Sequence, residues 1–209
     1  MGSALGRLAA TVGLLVVTAL VSSADPAGAG HPPAGMESAR AEHAAGARFR
    51  FDAGTASQRS QVRAALRASA FDWSVVPALV TVHIVRGLDS SEAAPGEIWL
   101  DADLLESGAF AWGVVQHEYA HQVDFFALDD RARALFLREL GGVDWWSGAG
   151  VVRHSDAASE RFASTLAWAY WPSRLNAMSP ANAGIESGSI PAPRFRSLLA
   201  GVLAQRVNG

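Results

Sequence analysis

Residues 114–126 read VVQHEYAHQVDFF, with two histidines four apart and a glutamate directly after the first. The fold turns on whether this is a metal-binding helix or an ordinary amphipathic one. On an α-helix His117 and His121 lie about 40° apart around the axis, so both imidazoles project to one side. Two nitrogen ligands need that spacing to share one zinc ion at about 2.0–2.1 Å each. Glu118 sits about 100° further round from His117, where it can reach a water on the metal without being a ligand. Zinc lowers the pKa of such a water toward ~7, and a carboxylate base takes its proton as the water attacks a carbonyl. Accident is a poor explanation: with 6 histidines in 209 residues, this composition yields the His-Glu-x-x-His pattern by chance only about 0.007 times per chain.

The flanking sequence supports a helix. Residues 109–128 contain no proline and one glycine, Gly113, and their apolar positions fit a long buried helix. Upstream, RFRFD (48–52) and ALVTVHIVRG (78–87) alternate like strands, and SQRSQVRAALRASAF (57–71) has helical spacing at Val62, Ala65, Leu66 and Ala70. His83, in the second strand, reads as a partly buried strand residue rather than a ligand. DSSEAAPG (89–96) reads as a turn before a short strand, EIWLD (97–101). Downstream, DDRARALFLREL (129–140) is an amphipathic helix with Asp129 or Asp130 as cap and Gly141-Gly142 as stop. A Gly-rich loop follows, then a helix over 156–171 ended by Pro172, a loop over 172–193 and a last helix over 194–207. Strands first and helices later make an α+β layout.

Composition bounds the chemistry. Half of the residues are hydrophobic and 18% are charged, enough for a folded core. Net charge is -3, which leaves no general basic footprint for nucleic acid. All 17 basic residues are arginine, so a lysine nucleophile is excluded, and the absence of cysteine excludes disulfides, thiolate ligands and cysteine nucleophiles. At the N-terminus, Arg7 precedes an apolar run over 8–21, followed by small-residue cleavage options at 22–24 or 27–29. This order is that of a secretory signal, and the run is shorter than the ~20 residues of a membrane span. The expected organisation is a signal peptide over 1–29, an Ala/Gly/Pro-rich linker over 30–46 and one domain over 47–209. The mature protein is expected to be secreted, without stable membrane insertion.

A catalytic zinc site with an open water position needs a third protein ligand. The best supplier is SDAASERFASTLAWAYWP, in which Glu160 opens a helix carrying Phe162, Ala163, Leu166 and Ala167. The competing reading is an exposed glutamate favoured near a helix N-terminus by the macrodipole. Asp156, four residues earlier, would share the face of Glu160, so spacing alone does not choose between them. Asp156 is better placed to cap the helix, and Glu160 has the longer arm. Small Ala163 and Ala167 on the face of Glu160 would allow a close approach to the HEYAH helix. His154, in the Gly-rich loop, is left to act near an oxyanion or to be exposed. Asp124 shares the histidine face, where it either touches an imidazole or is a surface carboxylate.

HEYAHQVDFF followed by ERFASTLAWAYWP resembles the zinc-peptidase domain of the anthrax lethal factor type, within the gluzincins. That family pairs an HExxHxVD helix with a later E-x-F-A-x-x-x-A helix. The resemblance implies a zincin-like fold: a small twisted sheet with an edge strand beside the HExxH helix, then a helical C-terminal part. It implies one zinc held by His117, His121 and Glu160, with Glu118 as general base. It also implies an extended peptide or protein substrate adding to the sheet edge, there assigned to EIWLD. The family has a tyrosine near the third ligand that helps stabilise the oxyanion. Here Arg153, His154 and Asp156 precede Glu160 and the only tyrosines are Tyr119 and Tyr170. Arg153 or His154 takes that role, or the oxyanion rests on zinc alone. The metzincin pattern is absent, since position 124 is Asp and position 127 is Ala. Two functions compete: an exported zinc metallopeptidase, and a zincin-fold binding module at the cell surface with little or no proteolysis.

Overall fold

A computed structural model describes residues 10–11, 42–146, 154–182, 184–185 and 187–207. The expected signal peptide, apart from strand β1 (Ala10–Thr11), lies outside these residues, as does most of the expected linker. The described chain is α+β: β2 (Glu42–Ala44), β3 (Ala47–Phe51), α1 (Ala56–Ala68), β4 (Val80–Val85), β5 (Glu92–Ala94), β6 (Glu97–Asp101), α2 (Ala102–Leu105), α3 (Phe110–Ala127), α4 (Asp130–Leu140), α5 (Ala158–Tyr170) and α6 (Ala192–Val207). The end of the expected linker therefore belongs to the fold, because β2 is the hairpin partner of β3.

The strands form one mixed sheet in the order β1-β5-β6-β4-β3-β2. β4 runs parallel to β3 and to β6, and the remaining pairs are antiparallel. Alternation sets the faces, as period-two side chains require. Phe49, Phe51, Val82, Ile84, Ile98 and Leu100 are buried, whereas Arg48, Arg50, His83 and Trp99 lie on the more open face. EIWLD is not the edge strand; β6 is internal, between β5 and β4. β5 stands beyond it, formed from Glu92–Ala94 of the segment expected to be a turn. A three-residue strand is too short to display alternation. What the turn chemistry marked is Pro95-Gly96, which closes the β5–β6 hairpin with Gly96 at φ 80°, the position of a type II turn that favours glycine.

Helix α3 is buried along nearly all its length, which explains why it lacks a polar stripe. Its polar residues are fastened individually. The Gln116 amide donates to Ala65 O (2.7 Å). Gln122 accepts from Gly96 N (2.8 Å) and donates to Ala94 O and Glu97 O (2.9 and 3.2 Å). One side chain thus clips the β5–β6 hairpin to the helix carrying both histidines. Of the two candidate caps of α4, Asp129 fills the role, accepting from Ala132 N at 2.7 Å. The last helices close on an aromatic cluster, with Phe136, Phe162 and Phe195 at ring separations of 5.0–5.5 Å.

Candidate metal centre

His117, Glu118 and His121 come from the middle of α3, and Glu160 from the first turn of α5. The two helices pack closely because α5 turns small residues inward: Ala163 and Ala167 are fully buried. The first amides of α5 need acceptors, and the preceding loop provides them. Ala158 N donates to Asp144 O (2.9 Å) and Ser159 N to Trp145 O (3.0 Å). This fixes the end of the helix from which Glu160 projects, where the macrodipole also favours a carboxylate.

The three expected ligand atoms converge. His117 Nε2 lies 3.1 Å from His121 Nε2 and 3.1 Å from Glu160 Oε2, and His121 Nε2 lies 3.3 Å from the same oxygen. A tetrahedral zinc with bonds of about 2.0–2.1 Å places its ligand atoms about 3.3–3.4 Å apart. The observed triangle is within a few tenths of an ångström of that, so this group could hold a metal ion. It is the only such group among the described residues.

Electrostatics point the same way. Burial alone would lower the pKa of His121, but Glu160, with Glu118 and Asp124, outweighs it and pushes the ring up to about 9. Glu118 is fully buried, and neither carboxylate oxygen has a hydrogen-bond partner among the described residues. Burial pushes its carboxyl up to about 8, helped by Glu160 and Glu92 and opposed by His121. A buried acid with no partner is costly. A metal and its water would give this one a purpose, so the residues fit a zinc site by donor set, spacing and the orphaned acid.

Two of the remaining expectations, those for Asp124 and Asp156, need correction. Asp124 is neither at the surface nor hydrogen-bonded to an imidazole. It is buried and accepts from Arg133 Nε (2.9 Å) and Trp145 Nε1 (3.0 Å), tying α3 to α4 and to the loop leading into α5. Asp156 does not join the cluster and caps no helix; its carboxylate lies 3.8 Å from Arg161, and the capping is done by the Asp144 and Trp145 carbonyls. Neither tyrosine reaches the site: Tyr119 donates to Arg48 O (3.3 Å) against Trp73, and Tyr170 packs on Phe71. His154 lies in a 3-10 turn, His154–Asp156; its side chain and Arg153 are outside the described residues. His83 is remote from the cluster, stacked on Trp99 and 2.8 Å from Asp52. Sequence reasoning missed Ser164, whose Oγ lies 3.1 Å from His117 Nδ1. Its signal was its position, one helical turn after Glu160. Comparison of the chain with protein-family models, with curated proteins and with solved structures gave no match.

Proposed function

We propose that this chain is an exported zinc metallopeptidase of the zincin type, as the lethal factor resemblance implies. The observation that carries the reading is the convergence of His117, His121 and Glu160 on one point with the unpartnered Glu118 carboxylate beside it. His117 Nε2, His121 Nε2 and a Glu160 oxygen would hold the zinc. When bound, zinc supplies Lewis acidity, acidifying a water and polarising a carbonyl. Glu118 takes the proton from the attacking water and delivers it to the departing amine.

The peptide substrate lies extended beside α3, with β5 rather than EIWLD as its template. β5 already takes β1 antiparallel on its outer side, Ala10 opposite Ala93 and Thr11 opposite Glu92. If residues 1–29 are a signal peptide, β1 leaves with it and that edge is open in the mature protein. A binding module at the cell surface has no use for an unpartnered acid at position 118, which favours the enzyme. The experiment is incubation of the purified mature chain with a diverse peptide library, with and without a chelator. Cleavage that the chelator abolishes and added zinc restores is expected; a library left intact by fully zinc-loaded protein refutes the peptidase.

A further inference from the structure

Helix α5 brings two side chains to the cluster. Ser164 follows Glu160 by four residues, one turn on and on the same face. It is 1% exposed, and its Oγ lies 3.1 Å from His117 Nδ1. A histidine that gives Nε2 to a metal carries its ring proton on Nδ1, and the partner of that proton sets the ring's orientation. The bond therefore runs from His117 Nδ1–H to the serine oxygen. His121 has no equivalent, since its Nδ1 is buried without a hydrogen-bond partner among the described residues.

The serine is itself held in place by the loop after α5. Ser164 Oγ lies 3.5 Å from Met178 Sδ, a thioether that only accepts. Met178 is held at both ends, its N–H donating to Asn176 Oδ1 (2.8 Å) and its carbonyl accepting from Ser187 Oγ (2.5 Å). The Asn176 amide donates to Ala167 O and Trp171 O at the end of α5 (3.0 and 2.8 Å). The same asparagine presses on α3 at Gly113, one turn before His117. A Cβ there would come within 2.1 Å of Asn176 Oδ1 and 2.8 Å of Ala177 N. The loop thus rests on both metal-bearing helices directly behind His117.

We infer that Ser164 is a positioning residue that fixes the Nδ1–H tautomer and ring plane of His117 for the metal, with the Asn176–Met178 turn holding its hydroxyl in place. The inference rests on the zinc reading above. Its test is zinc affinity by competition with a chromophoric chelator for the parent, Ser164→Ala and Ser164→Thr, together with the ring 15N–1H correlation of the zinc-loaded parent. Ser164→Ala should bind zinc ~10–100-fold more weakly, with its metal-free melting curve near the parent's, and Ser164→Thr, which keeps the hydroxyl, should recover most of the loss. The parent should show a protected Nδ1–H on His117. Equal affinity in parent and Ser164→Ala, or a His117 that binds zinc through Nδ1, overturns the inference and leaves the zinc site standing. A parent that takes up no zinc overturns both.

Discussion

Glu118 is the residue whose environment makes least sense as structure alone. Its carboxylate is buried with no hydrogen-bond partner among the described residues, and its pKa stands near 8. A side chain in that position costs stability, and a chemical role is a reason for keeping it despite that cost. Glu118→Met should therefore stabilise the metal-free protein by about 1–2 kcal/mol while abolishing hydrolysis; a denaturant melt that shows a loss of stability would remove this argument. Glu118→Gln should retain the metal, because Glu118 is not a ligand, and lose hydrolysis by ~10²–10⁴-fold or more. Parent-like turnover in that variant would contradict the assigned base. His117→Ala and His121→Ala should each lose the metal by elemental analysis, with full occupancy in both as the contrary result.

Among the elements, the packing of α3 against α5 builds the centre, and the Asp124 contacts join α3 to the approach to α5. Asp124 accepts from Arg133 on α4 and from Trp145, whose own carbonyl caps α5. Asp124→Ala leaves the Trp145 indole N–H without its acceptor and Arg133 with only the residue-124 carbonyl and Asp130, and should cost about 1–3 kcal/mol, the scale for leaving a buried donor unsatisfied. Asp124→Asn, which can still accept from Trp145, should cost less. Urea melts of the two variants check the order, and equal losses would mean that the charge carries no weight. These contacts also show what the sequence could reveal. His117 and His121 were legible because helical periodicity and ligand chemistry act within one turn, whereas Glu160, on another helix, was chosen over Asp156 by its longer arm and by the lethal factor resemblance. The partners of Asp124 were not read, because Arg133 and Trp145 reach it through the turn of the chain around α4. Asp156 had the right residue type for a cap, yet the loop backbone at Asp144 and Trp145 had already satisfied those amides. β5 was missed because three residues carry no period, although its turn was plain. Ser164 was missed because a serine inside a helix has no chemical signature until an imidazole stands beside it.

At the scale of the whole molecule, a mixed sheet covers one side of α3 while α5 and the Asn176 loop cover the other, leaving the two histidines between layers. A metal held there should bind the folded state far better than the unfolded chain. At a free zinc concentration about a thousandfold above Kd, zinc should add about 4 kcal/mol to the unfolding free energy and raise the melting temperature by roughly 8–16 °C. The most direct test of the account is anomalous diffraction at the zinc edge from crystals of the zinc-loaded protein. One zinc is predicted per chain, about 2.0–2.1 Å from His117 Nε2, His121 Nε2 and a Glu160 oxygen, with Glu118 beside it and unligated. Zinc held by Asp156 or His154 while Glu160 points to solvent, or no zinc between α3 and α5, would contradict it.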